Sequence, residues 1–475
     1  MVAKMLKLFC SSLVLNTVFW VNFSALAQPI PELRQGMIYE DARTLLIEQG
    51  WQAIFNMAQF NNPERGAVID SLIEKGYTEV VDCSGTGLGL CLFQFQNATG
   101  ETLSVSTTNN APARTSVVFG WRLEAPATTH TFNFIKKIRG FTSRFGNSVA
   151  IDGSNAIIGS DAGDNSTDSG AAYLFDLTTG SLLWKFEPTD GDWGDQFGRS
   201  VAIHGNKVLI SSSNGNNGGS VYLFDINTKS LLWKLTAPDG NWDDEFGNSV
   251  AIDGNYALIG SWLDDDKGDD SGAAYLFDVR TGSLLQKFLP PDGYTATIFG
   301  HSLVMDGYYA LIGSGSYDDV SSVYLFNVKT GSLLQKFTAP DSDLGYGFSR
   351  SLAIDGDYAL IGSWTHDEIG SAYLFNIKTG SLLRKFIPPE GDAIDAFGLS
   401  VAIDGNYAII GSSDDNQIGS AYLFDIRSGS LLQRITAPDG AKFDAFSSSI
   451  AIDGNNALIS APFNEGSGSV YLFRK

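Results

Sequence analysis

The triplet Tyr-Leu-Phe occurs seven times in this chain of 475 residues, starting at Tyr173, Tyr222, Tyr275, Tyr324, Tyr373, Tyr422 and Tyr471. Successive spacings are 49, 53, 49, 49, 49 and 49 residues. A second marker, Phe followed by Gly or Ser, keeps step with it at Phe145, Phe197, Phe246, Phe299, Phe348, Phe397 and Phe446. A period this regular means one supersecondary unit repeated and stacked, and it disfavours a β-sandwich, whose strands do not repeat in sequence.

Each unit reads as four strands, A to D. Strand A is of the Ser-Val-Ala-Ile-Asp type and strand B of the Tyr-Ala-Leu-Ile-Gly-Ser type. An Asp-Gly pair joins them in six of the seven units, with His204-Gly205 in the other. Asp-Gly between apolar runs is the strongest short hairpin signal. Strand C holds the Tyr-Leu-Phe triplet, and strand D is of the Ser-Leu-Leu-Gln-Lys-Phe type. Four antiparallel strands repeated at this period predict an all-β, seven-bladed β-propeller. Only two residues follow the last triplet, so the seventh unit has no strand D of its own. The run 129–138, Thr-His-Thr-Phe-Asn-Phe-Ile-Lys-Lys-Ile, is placed to complete that blade and remove its open edge. Strand D carries one base at a constant position, at Lys185, Lys234, Lys287, Lys336, Lys385 and Arg434. On the outermost strand such a base reads as protection against edge-to-edge pairing.

The markers Phe-Gly-x-Ser-Val-Ala-Ile-Asp-Gly, Ile-Gly-Ser and Gly-Ala-Ala-Tyr-Leu-Phe resemble the FG-GAP repeat of integrin α-subunits and of many bacterial secreted proteins. The resemblance implies a seven-bladed propeller and a role in binding or cell adhesion. Integrin-type repeats often hold calcium in an Asp-rich loop between strands A and B. Here that loop is a bare Asp-Gly turn, with too few oxygen donors for calcium. The run 173–186 also resembles the tryptophan-docking repeat of quinoprotein dehydrogenases, but later units have Gln286, Gln335, Arg384 and Gln433 at the docking position. Residues 126–475 contain no Cys, so the echo is read as shared packing rather than shared chemistry.

Residues 1–27 read as a signal peptide. Lys4 and Lys7 precede an apolar stretch, and Ala25-Leu26-Ala27 forms the small-x-small cleavage site. The protein is therefore expected to be secreted, periplasmic or at the cell surface, and no later run is long and apolar enough to span a bilayer. Residues 28–125 read as a small α+β domain. Two short amphipathic helices, at 40–51 and 64–77, precede four strand-like runs, and residues 125–130 read as a linker. Cys83 and Cys91, eight residues apart around a Gly-rich turn, are the cysteines left after cleavage. An oxidising compartment favours a disulfide between them.

The chain has 53 acidic against 31 basic residues, a net charge of −22, which excludes nucleic acid as a partner. The alternation of strands puts the B–C and D–A loops together at one end of the propeller and the tight A–B and C–D turns at the other. Thirty of the 53 acids fall in the B–C and D–A loops, so that face is expected to attract cations or basic partners. The densest cluster, Asp264, Asp265, Asp266, Asp269 and Asp270, is a candidate calcium site, although its spacing matches no EF-hand. Trp193, Trp242, Trp262 and Trp364 lie in or beside the same loops and are candidates for stacking on a glycan. No other cofactor is implied. Metalloprotease, nucleophile-elbow and phosphate-loop motifs are absent, and the four His residues form no catalytic pattern. The resulting expectation is a monomeric propeller that binds a protein, glycan or cation and is not an enzyme. A polysaccharide hydrolase or a degenerate quinoprotein is the alternative.

Overall fold

The computed structural model describes residues 33–35, 37–48, 52–53, 80–83, 91–96, 102–110, 115–124, 131–161, 169–188, 190, 195–213, 218–292, 295–315, 321–340, 347–364, 370–388, 396–412 and 418–475. The leader, the 64–77 helix and the 125–130 linker expected from the sequence lie outside these residues. The chain divides into two units, Met1–His130 and Thr131–Lys475.

In the first unit a helix, Tyr39–Glu48, carries Glu40 and Asp41 in its first turn, where carboxylates complement the helix dipole. It buries Tyr39, Ala42 and Leu46 against a five-stranded sheet. The Tyr39 ring stacks on Phe93 with centroids 3.9 Å apart. Strand Cys91–Gln96 pairs with Gln52–Ala53 and Val80–Cys83, and on its other side with Thr102–Asn110, which in turn pairs with Thr115–Glu124. Cys83 and Cys91 are direct partners in the register.

The second unit is the propeller, with seven four-stranded antiparallel sheets. Blade 1 runs Ser148–Asp152, Asn155–Ser160, Ala171–Asp176 and Ser181–Phe186, and blades 2 to 6 repeat that order. Blade 7 takes Ile450–Asp453, Asn456–Ala461 and Ser469–Arg474 from the C-terminal end and Asn133–Arg139 as its outermost strand. The innermost strands A contact one another around a closed ring.

Strands B and C are buried on both sides because each blade is sandwiched between two others. Their side chains alternate between the two neighbours, as the two-residue strand period requires. Tyr173 and Phe175 join the core shared with blade 7, while Leu174 joins the core shared with blade 2. Seven such cores, one per junction, hold the ring together. The two sequence markers meet inside them. The marker Phe packs on the triplet Tyr of its own blade in all seven units, with centroids 5.4 to 5.8 Å apart. Tilted and edge-on aromatic pairs of this kind add about 0.5–1.5 kcal/mol each beyond their buried area.

The backbone of each junction is also close-packed. The glycine that starts strand C lies against the marker Phe of the next blade. A Cβ on Gly170, Gly219, Gly370 or Gly419 would come within 2.0–2.1 Å of that Phe carbonyl oxygen, and one on Gly272 within 2.2 Å. Gly468 meets Phe145 in the same way at 2.3 Å, which closes blade 7 onto blade 1. At the perimeter, the residue before the strand D base reaches the C–D turn of the next blade. Trp233 Nε1 donates to Val279 O at 3.2 Å, and Lys136 Nζ donates to Gly180 O at 2.8 Å. Gln433 holds the closing strand, accepting the Phe132 N–H at 2.7 Å and donating to Phe132 O at 2.9 Å. The docking position thus keeps its role with Lys, Gln or Arg in place of Trp.

These contacts predict unequal glycine costs. Gly219→Ala should destabilise the propeller by more than about 2 kcal/mol, because a backbone clash adds to the positive-φ penalty. Gly254→Ala, in an A–B turn with φ 56° and nothing within 4 Å of the added Cβ, should lose only about 1 kcal/mol. Thermal or urea unfolding measures both, and equal losses would contradict the junction packing.

Candidate functional site

The two ends of the propeller differ in chemistry. At the long-loop end a Tyr, a base and an Asp recur. The strand D base lies directly across the strand pair from the triplet Tyr, as in Lys234 opposite Tyr222 and Lys287 opposite Tyr275. In every blade the base sits over that Tyr ring, with 4.9 to 5.8 Å to the centroid, and Lys137 of the closing strand takes the place in blade 7. Among the described residues, an Asp from the preceding D–A loop completes the group in four blades. Asp190 takes the Tyr222 hydroxyl at 2.8 Å and Lys234 at 2.6 Å. Asp239 binds Tyr275 and Lys287, Asp292 binds Tyr324 and Lys336, and Asp439 binds Tyr471 and Lys137. The lysine hydrogen bonds hold the Asp190, Asp292 and Asp439 carboxyls below their ordinary range. Burial, with the Asp190 hydrogen bond, pushes Tyr222 up to about 12. The reading of these bases as simple edge protection is therefore incomplete, since each base covers a Tyr ring and, among the described residues, four of them tie down the loop above.

The acidic run 263–270 is partly spent in the same way. Asp264 is buried, accepts the Tyr275 hydroxyl at 2.7 Å and lies 2.9 Å from Lys287 Nζ. Asp266 also meets Lys287, at 2.6 Å. Asp265 takes the Asp270 N–H at 2.9 Å. Among the described residues no three His, Cys, Asp or Glu side chains are arranged to hold a metal ion.

The four tryptophans separate. Trp193 lies outside the described residues. Trp242 is 77% exposed beside Asp243 and Glu245. Trp262 and Trp364 are half-buried, and the Trp262 indole donates to Glu245 at 2.9 Å. The structure adds Phe141, Phe443 and Phe463, which are 53%, 70% and 53% exposed on the loops around blade 7. Their sequence signal was an aromatic without the repeat's spacing, a weaker cue than Trp beside Asp.

The FG-GAP repeat family matches the chain at residues 141–175, 183–224, 231–277, 332–375, 381–424 and 430–473. The chain belongs to this family. The fourth blade, with Leu303-Val304-Met305 in strand A and Ser321 where other units have Gly, lies mostly between the matches. No curated protein matches the chain. Solved structures similar to it include a chain of a mitotic checkpoint complex (14% identity, TM-score 0.51, covering 75% of this chain and 98% of that one). The RRP9 WD40 repeats follow at 13% identity and TM-score 0.52, covering 74% and 99%. The Cps50 (Swd1) β-propeller domain of Myceliophteria thermophila has 14% identity and TM-score 0.50, covering 73% and 100%. At these identities the likeness is one of fold. An FG-GAP propeller fits a binding or scaffold role.

The tight-turn end of this FG-GAP propeller has its own recurrent contact. The Asp of each A–B turn accepts the Gly N–H of the next blade's turn: Asp253 from Gly307 at 2.6 Å, Asp306 from Gly356 at 2.7 Å, Asp355 from Gly405 at 2.6 Å and Asp404 from Gly454 at 2.9 Å. Asp453 to Gly153 and Asp152 to Gly205 continue the series. Only His204 breaks it, and its Nδ1 lies 3.2 Å from Asp253 instead. The turn Asp of this FG-GAP chain is thus a latch between blades. Of the other histidines, His301 is half-buried with Nδ1 and Nε2 against Ile298 O and Ser349 O. His130 and His366 lie outside the described residues.

Asp244 gives the long-loop face a measurable titration. Burial, backed by the charges of Asp264, Asp243 and Asp265, pushes it up to about 6 against the Asn241 N–H that favours its charge. Its Oδ1 has no hydrogen-bond partner. Because the folded form holds the proton more tightly, this contribution to stability is fully present below about pH 4 and is lost as pH rises through about 6. Asp244→Asn should therefore flatten the pH dependence and raise stability at pH 7–8 by on the order of 1 kcal/mol. Melting curves from pH 4 to 8 test this, and equal slopes for variant and wild type would refute it.

Proposed function

We propose that this chain is an exported, non-enzymatic binding protein whose long-loop face engages the basic surface of a partner protein, in an adhesion or scaffold role. The observation that carries the reading is the chemical contrast between the two ends. The tight-turn carboxylates are mostly consumed as latches, whereas the long-loop end presents exposed carboxylates around the exposed Trp242. Exposed aromatics among charges of one sign suit an interface with a polar rim and an apolar anchor. A basic protein surface fits better than a bare calcium ion, because the Lys287 ammonium already occupies the place between Asp239, Asp264 and Asp266 where an ion would sit. A glycan stacked on the indoles fits less well, since Trp262 is already tied to Glu245.

Export rests on the basic, apolar and Ala-Leu-Ala pattern of residues 1–27, and N-terminal sequencing of the protein from its native host should begin at Gln28. A Cys83–Cys91 disulfide follows from that compartment and from the paired register.

Electrostatic attraction between exposed charges weakens as salt rises. Binding of a Lys-rich oligopeptide should fall about tenfold or more between 50 and 500 mM NaCl. The Asp265→Asn/Asp269→Asn double variant should bind more weakly at low salt and lose most of the salt dependence. Fluorescence anisotropy measures both effects. Affinity that ignores salt and both substitutions would remove the loop face from the role assigned to it.

A further inference from the structure

The tight-turn end carries a charge pattern of its own. The C–D turns of blades 3 to 6 place a base at one repeated position, Arg280, Lys329, Lys378 and Arg427, at intervals of 49 residues. All four are exposed. The carboxylates at this end are drawn inward. Those of the A–B turns are half-buried and accept the next blade's Gly N–H. Those that close strand C fold onto their own turns. Asp225 accepts the Asn227 and Thr228 N–H groups, both at 2.9 Å, and Asp425 accepts those of Arg427 and Ser428 at 3.0 and 2.7 Å. In blades 4 and 5 the residue in this place is Asn327 or Asn376, which caps the turn without any charge.

Two of the bases have partners of their own. Arg280 pairs with the buried Asp278 at 2.7 Å, and Lys378 pairs with Asp357 at 2.6 Å. Their side chains nevertheless stay 65% and 60% exposed. The charge facing outward at this end is therefore mainly positive, on an arc of four consecutive blades, in a protein of net charge −22. Just past three of these turns Leu284, Leu285, Leu333, Leu334, Leu382 and Leu383 are exposed as well. Bases beside apolar side chains have the composition of an interface. The opposite end supplies the complement. There Asp243, Asp265, Asp266 and Asp269 are exposed, with Lys267 the base among them, and Trp242 stands beside them. Both ends follow one blade period about one ring axis. Two copies stacked on that axis, acidic end to basic end, therefore bring opposite charges together, and rotation by whole blades keeps the repeats in step.

We propose that the partner of the loop face is a second copy of this chain, whose basic turn arc receives the acidic loop tips head to tail. The inference rests on the loop-face reading and names the partner of that face. It departs from the monomer expected from the sequence. A contact of this kind is heterologous: every copy added keeps one free end of each sort, so the assembly grows as a stack. Complementary charge across such a contact sets its direction, because two acidic ends or two basic ends repel. An anionic lipid surface would engage the turn arc alone and leave the loop face without a role, whereas a second copy uses both.

Sedimentation velocity of the full chain from about 1 to 100 μM, a range that brackets micromolar affinity, tests this. The average mass should rise with concentration, and association should weaken about tenfold or more between 50 and 500 mM NaCl. The Lys329→Glu/Arg427→Glu variant reverses the arc while sparing the ion pairs of Arg280 and Lys378. The Asp243→Lys/Asp269→Lys variant reverses the loop tips. Each alone should stay monomeric. Mixed in equal amounts they should form a one-to-one dimer and nothing larger, because the first keeps its loop face and the second its turn arc. That dimer also shows that both variants are folded. A wild type that stays monomeric while a Lys-rich peptide still binds it in a salt-dependent way would overturn the self-partner and leave the loop-face reading standing. Loss of both would remove both. Association that ignores the two variants, or growth of the mixture beyond dimers, would overturn the proposal. So would a monomeric wild type that sediments with phosphatidylglycerol vesicles through the arc, which would assign the arc to a lipid surface.

Discussion

The close approach of two backbones at each blade junction is the constraint on which the rest of this structure depends. A glycine at the head of strand C lets the next blade's Phe carbonyl come nearer than any side chain would permit. That approach seats the marker Phe, which fixes the ring of the triplet Tyr. The Tyr hydroxyl then reaches the loop Asp, and the base opposite covers the Tyr face. One glycine position thus sets in turn the core of the junction, the perimeter and the height of the loop above it. Ser321 is the only departure from Gly at this position, and it falls in the blade that the family matches leave mostly uncovered.

Much of this architecture was legible because a closed ring makes every unit solve the same packing problem. Seven paired markers and Asp-Gly turns were enough to read seven blades. The interactions between blades were harder to see, because they join residues tens of positions apart that give no local signal. The turn Asp looked like simple hairpin chemistry, yet its carboxylate serves the next blade's Gly N–H. The strand D base looked like edge protection, yet it lies over a Tyr twelve residues earlier and meets an Asp from the loop before that. Among the candidate ligand residues, composition placed Trp242, Trp262 and Trp364 in the same class, but burial separates them.

Closure of the ring follows the same code across about 300 residues of chain. Asn133–Arg139 has no Tyr-Leu-Phe and no repeat marker, but Lys137 falls opposite Tyr471 and binds Asp439 as the other bases do in their blades. Lys136 takes the perimeter docking position on Gly180, and Gln433 of blade 6 clamps Phe132 just ahead of the strand. The closing strand is therefore recognised by the position of its bases rather than by the motif that names the repeat. A ring closed in this way unites sequence-distant ends in one cooperative core, which a linear stack of repeats lacks.

The same accounting changes the meaning of the net charge. A face with thirty acids in its loops is less negative than the count implies, because the repeated lysines lie beneath it and consume the carboxylates nearest the strands. The charge left over belongs to residues such as Asp243 and Asp269, at the tips of the loops rather than at their roots. Positive charge is spent in the same way near the inner strands, where Arg144 and Arg199 share one buried carboxylate, Asp161. The field that a partner meets is therefore set by the loop tips rather than by the total charge.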